Sequence, residues 1–128
     1  MTAITNIAKK RILIVEDDPD VREIITLSLQ MAGHDVGEAE NALAAICNMA
    51  RAGADLVLVD IGMPIVDGFT LVRELKAHAD TRHIPIVVVT GRDTPECRSE
   101  ARAAGCVGFI AKPLDVHEFP KQIAPFIW

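Results

Sequence analysis

The chain has 128 residues, with 13 Lys and Arg against 18 Asp and Glu, for a net charge of −5. Half of the residues are hydrophobic and about a quarter are charged, a balance that builds one compact core and excludes disorder, collagen-type repeats and a disulfide scaffold. An acidic chain without a long Lys/Arg run lacks the electrostatic footprint that a phosphate backbone selects, so direct nucleic-acid binding is not expected.

The chain opens with MTAITNIAKK, which places its lysines after the apolar residues and lacks the continuous apolar stretch of a secretory signal. Residues 12–15 then form a short Val/Ile-rich run, the pattern of a strand buried on both faces. A helix follows: Asp18 can cap it, Pro19 suits its first position, Val21, Ile24, Ile25, Leu29 and Ala32 share a face, and Gly33 stops it. Residues 34–39 give a weaker strand nearer an edge, and Ala42, Ala45, Ile46 and Met49 mark the next helical face. The run at 56–59 is the third strand. Asp67-Gly68 reads as a turn and cap before a third helix carrying Leu71, Val72 and Leu75. A fourth strand at 86–89, a weaker helix at 95–104 and a fifth strand at 107–111 complete the alternation.

Strand and helix thus alternate five times, which predicts an α/β domain with a doubly wound five-stranded parallel sheet and helices on both faces. The last segment, 114–128, is irregular. Phe119, Ile123, Phe126 and Ile127 suit a helix packed on the sheet, but Pro120 and Pro125 each delete a backbone donor, so a short or broken helix is expected. No apolar run reaches the roughly 18 residues that cross a bilayer. Cys47, Cys97 and Cys106 are odd in number and show no C-x-x-C spacing, the usage of a reducing, cytoplasmic compartment. His34, His78, His83 and His117 lack ligand spacing and read as packing or surface residues.

In a doubly wound sheet the functional crevice lies beyond the carboxyl ends of the strands. Those ends carry Glu16, Asp17 and Asp18, then Asp60, then Thr90 followed by Gly91, then Lys112 followed by Pro113. Any one of these alone is a helix cap or a solvated turn. Together they crowd carboxylates that repel unless a cation or Lys112 offsets them. Hard oxygen ligands with room for water suit Mg²⁺, and a carboxylate beside such an ion can be a nucleophile toward phosphorus. Asp60 is the candidate for that role, because it ends the most apolar strand and leads into Ile61-Gly62-Met63-Pro64. Thr90 can donate to one phosphoryl oxygen and Lys112 can place a compact charge on another. Gly91 leaves the space beside Thr90 open.

The strings RILIVEDDPDVRE, DIGMPIVDGF, VVVTG and GFIAKP occur in this order over nearly the whole chain. Together they resemble the receiver domain of two-component response regulators, as in single-domain chemotaxis regulators. The resemblance implies the flavodoxin-like strand order 2-1-3-4-5. It makes Asp60 the phosphorylated residue, Asp17 a direct Mg²⁺ ligand, Glu16 a ligand mainly through water, and Gly62 the residue whose carbonyl binds the metal. Thr90 takes the place of the switch hydroxyl, Lys112 that of the family lysine, and Phe109 that of the aromatic switch residue. Drawing Thr90 inward would then vacate space for Phe109. The residues at 62 and 92 flank the path of a hydrolytic water, and a cis bond is implied at Lys112-Pro113.

The resemblance implies a signalling switch that catalyses only its own phosphorylation and dephosphorylation. Its partners would be a histidine kinase or histidine phosphotransfer protein and a downstream protein target of unknown identity. The expected organisation is a single receiver domain over 1–128 with no room for an effector; Met1 and the ten-residue lead favour a complete gene product over a receiver cut from a larger hybrid chain. The proline-broken end departs from the family pattern on the face that often mediates output. Two other readings compete. A docking module that works without phosphorylation has no need of a repelling carboxylate cluster, and a Mg²⁺-dependent phosphatase or flavin-binding domain would want a glycine-rich phosphate loop after the first strand, which is missing.

Overall fold

The structure is a computed structural model and describes residues 10–61 and 68–127. Its elements are β1 (Arg11–Val15), α1 (Pro19–Met31), β2 (Asp35–Ala39), α2 (Ala42–Ala52), β3 (Leu56–Val59) and α3 (Gly68–Ala77). These are followed by β4 (Ile86–Thr90), α4 (Pro95–Ala104), β5 (Gly108–Ala111), α5 (Phe119–Ile123) and a 3-10 turn at Ala124–Phe126. The five strands form one parallel sheet in the order β2-β1-β3-β4-β5.

Alternate residues of each central strand face opposite layers, which is why the strands read as unbroken apolar runs. Ile12, Ile14, Leu56, Leu58, Val87 and Val89 pack with Ile25 and Leu29 of α1 and with Phe119 and Ile123 of α5. Leu13, Val15, Val57, Val59 and Ile86 pack against α2 and α3. A smaller cluster of Ile61, Phe69, Val88, Cys97 and Ala101 seats α4. Helix ends follow local chemistry: Asp18 accepts from the N–H groups of Asp20 and Val21 at 2.9 and 3.4 Å. Asn41 and Thr94 cap α2 and α4 in the same manner. Gly33 and Gly105 adopt φ of +95° and +106°, where a side chain would strain the backbone.

The end of the chain is short, as its prolines predict. Pro120 sits in the first turn of the five-residue α5, where its missing donor costs nothing, and Pro125 falls in the 3-10 turn. Phe119, Ile123 and Ile127 are buried, each contributing about 1.5–3 kcal/mol by leaving water. Trp128, Asp67 and the lead segment 1–9 lie outside the described residues.

At four positions the structure departs from the sequence pattern. Ile24 of α1 and Ile46 of α2 were placed on buried faces but are 45% and 42% exposed, and Ala32 is exposed beyond the last turn of α1. In α1 the buried side includes Thr26 and Ser28 instead, and the Ser28 hydroxyl donates to the Val116 carbonyl at 2.6 Å. That bond ties α1 to the segment just before α5, while Ile25 and Leu29 make the apolar contact with α5 itself. Val107 lies outside β5 and is half exposed, although its N–H still meets the Ile86 carbonyl at 2.9 Å.

Candidate functional site

Hydrogen bonds that extend the sheet just past the strand ends hold the site residues in place. The Glu16 N–H donates to the Ala39 carbonyl at 3.0 Å, the Asp60 N–H to Val15 at 3.0 Å, and the Lys112 N–H to Thr90 at 2.8 Å. Glu16, Asp60, Thr90 and Lys112 therefore meet at one edge although they come from four strands. Arg22, one turn into α1, reaches back to the Glu16 carbonyl at 2.7 Å and to the Glu38 carboxylate at 3.3 Å, fixing the backbone at the start of the cluster.

Glu16, Asp17 and Asp60 offer carboxylate oxygens that all lie within 4.8 Å of one another. The Lys112 ammonium stands 2.7 Å from Glu16 Oε1 and 3.6 Å from Asp60 Oδ2. Lys112 thus bridges Glu16 and Asp60, with Asp17 beside them. Glu16 is 2% exposed, and burial pushes its carboxyl up to about 7. The hydrogen bond from Lys112 opposes that rise and the nearby Asp60 adds to it. For Lys112, burial works against its charge, but the Glu16 hydrogen bond and the pull of Asp60 outweigh it and raise the ammonium above its usual range. Asp17 is exposed at the rim. Oxygen-only donors, partial burial and surplus negative charge fit a small divalent cation such as Mg²⁺.

Thr90 is buried, and its hydroxyl oxygen accepts from the Arg92 N–H at 3.1 Å, leaving its own proton to donate elsewhere. Among the described residues other than its chain neighbours, none comes within 4 Å of a Cβ imagined on Gly91, so the space beside it is open. Phe109 is half buried against the small cluster beneath α4. The Lys112-Pro113 bond is cis. Asp18 stands outside the cluster as the α1 cap. Gly62 lies outside the described residues.

The sequence reading took Gly68 as part of a turn, but its role is larger. A Cβ there would lie 2.6 Å from Ile61 Cα and 2.7 Å from the Asp60 carbonyl oxygen, so only glycine lets α3 start directly against the backbone that carries Asp60. Beside Lys112, the exposed Ile24 joins Val21, Pro113 and Leu114 around an apolar groove of about 500 Å³.

The response regulator receiver domain pattern matches residues 12–124. The chain belongs to this family. Protein PilH of Pseudomonas aeruginosa is 34% identical over 113 residues, covering 88% of this chain and 93% of that protein. The chain spans about half the length of several other curated relatives. Among solved structures, the chemotaxis protein CheY4 of Vibrio cholerae superposes with a TM-score of 0.88 at 27% identity, covering 93% of this chain and 99% of that one. The receiver domain of the sensor histidine kinase PA1611 of P. aeruginosa, which holds a magnesium ion in its active-site cleft, superposes with a TM-score of 0.84 at 28% identity. It covers 94% of this chain and 98% of that domain. This receiver is accordingly a switch module of two-component signalling. Among the described residues, no helix is long and apolar enough to cross a membrane.

Proposed function

We propose that this receiver accepts a phosphoryl group on Asp60 from a phosphohistidine of a kinase or phosphotransfer protein, with Mg²⁺ held by Glu16, Asp17 and Asp60. The observation that carries the reading is the convergence of Glu16, Asp17 and Asp60, with carboxylate oxygens within 4.8 Å of one another, and the Lys112 ammonium reaching both Glu16 and Asp60. A bound Mg²⁺ would supply charge neutralisation for the incoming phosphoryl oxygens. Asp60 attacks phosphorus through a carboxylate oxygen, the histidine nitrogen leaves, and the product is an acyl phosphate. Lys112 shifts from the carboxylates toward a phosphoryl oxygen. Thr90 donates a hydrogen bond from its hydroxyl to another phosphoryl oxygen, moving inward, and Phe109 follows into the vacated space.

Water attack later releases phosphate, so the chain catalyses its own charging and discharge. In this reading Arg92, whose N–H donates to the Thr90 hydroxyl, borders the water's path. The apolar groove around Ile24 and Pro113 supports a protein donor, because it places an apolar contact surface next to Lys112. We place the switch in the cytoplasm as a single domain acting on a protein target. In the test, purified protein is incubated with Mg²⁺ and acetyl phosphate, and intact mass is measured. Wild type gains one phosphoryl mass and Asp60→Asn gains none; equal behaviour of the two sinks the assignment. A receiver-shaped docking module would bind neither Mg²⁺ nor phosphate under these conditions.

A further inference from the structure

Arg98 takes no part in the carboxylate cluster, yet it lies between the two elements through which the switch would run. Its guanidinium carbon sits 4.6 Å from the centroid of the Phe109 ring, within cation–π range. The same guanidinium engages both carboxylate oxygens of Asp93, with Nε 2.6 Å from Oδ1 and Nη2 3.2 Å from Oδ2. Asp93 stands three residues after Thr90, in the loop whose Arg92 N–H already donates to the Thr90 hydroxyl. One short chain of contacts therefore runs from Thr90 through residues 92 and 93 to Arg98 and onto the face of Phe109.

We propose that Asp93 and Arg98 form a lock that holds Phe109 in its resting position, and that charging of Asp60 releases it by displacing Thr90 and the loop behind it. The proposal rests on the phosphoryl-accepting reading above. Arg98 is a positioning residue, since it touches neither Asp60 nor Lys112 and acts through Phe109. The fork geometry matters: two parallel N–H contacts to Asp93 orient the guanidinium plane, which a single point charge cannot do. The half-exposed setting matters too. Side-chain exposures of 49% for Arg98 and 42% for Asp93 keep the lock weak enough to open, whereas a buried pair would freeze the switch. The Phe109 ring also forms a wall of a groove of about 180 Å³ between α4 and β5, so release of Arg98 changes the surface that a partner meets.

The experiment replaces the four Phe by 4-fluorophenylalanine, with the Phe109 signal assigned through Phe109→Leu, and compares wild type with Arg98→Met, Arg98→Lys and Asp93→Asn. Without any phosphodonor, the fluorine signal of Phe109 moves most in Arg98→Met, less in Asp93→Asn and least in Arg98→Lys. With Mg²⁺ and acetyl phosphate, Arg98→Met labels Asp60 about three to ten times faster than wild type, because a larger fraction already occupies the competent state. Asp93→Asn follows with a smaller gain, Arg98→Lys stays nearest wild type, and all melt within a few degrees of it. A Phe109 signal unmoved in Arg98→Met overturns the lock. A moved signal with an unchanged or slower labelling rate overturns its coupling to charging. Failure of wild type itself to be labelled sinks the functional reading and the release step, while the donor-free fluorine spectra still decide whether the resting lock exists.

Discussion

The two ends of the sheet carry charge in opposite ways. At the amino end, Arg11 is well partnered: its guanidinium donates to the Gly53 carbonyl at 2.5 Å and to Asn48 Oδ1 at 3.0 Å, and its Nε lies 3.9 Å from Asp35. Its backbone N–H meets Asp55 at 2.8 Å. At the carboxyl end Glu16, Asp17 and Asp60 crowd together with Lys112 bridging two of them, and burial pushes the Glu16 carboxyl up to about 7. A balanced cluster stabilises the fold and asks for nothing further. An unbalanced one costs folding free energy and persists because something else completes it, which is a physical reason to look for function at that edge.

The contrast is sharpest under matched substitutions. Lys112→Met should cut the rate of acetyl phosphate labelling about 100-fold or more by removing a charge that acts on the transferring group. Arg11→Met should leave that rate within about twofold while lowering stability by about 1–3 kcal/mol through its unpaired partners. Labelling rates and thermal melts on both variants decide; equal kinetic losses would erase the distinction between the two ends.

Next in size is Gly68→Ala, which drives a methyl group into the Asp60–Ile61 backbone. A cost of about 1–3 kcal/mol follows from overpacking, together with slower labelling because Asp60 is displaced. Ala at Gly91, with open space around it, should change stability by less than about 0.5 kcal/mol. Melting both variants tests the difference.

The smallest effect is a pH dependence. Glu16 has a folded value near 7 against an ordinary 4.5, so across that window the folded chain binds more protons than the unfolded one, and stability falls as pH rises from about 4.5 to about 7. In Mg²⁺-free buffer the melting temperature should drop by a few degrees between pH 5 and pH 7.5. Millimolar Mg²⁺ should recover it at the upper end, where the cluster is ionised. Glu16→Gln should flatten the drop, and a flat wild-type profile would contradict the burial cost assigned to Glu16.

The sheet was legible because doubly buried parallel strands are written as short apolar runs, and the strand-end residues followed from that placement alone. The helix faces were less so. Periodicity marks apolar stripes but not which side of a stripe meets the core, and α1 buries Ser28 by bonding its hydroxyl to Val116 while leaving Ile24 outside. Gly68 and Arg22 left no local signature of their roles, since each acts on backbone brought near only by folding. The Asp93–Arg98–Phe109 stack was hidden for a related reason: the base follows the acid at i+5, a spacing that pairs here because Thr94 starts the helix between them.

The contact between Glu16 and Lys112 spans 96 positions of the sequence. Asp60 emerges from the ribosome well before Lys112 and cannot meet it until β4 and β5 have been added to the sheet. Under the proposed reading, a nascent or truncated chain carries the acceptor aspartate without the Lys112 charge beside it. Response to a phosphoryl donor would then report that the sheet has been completed through β5.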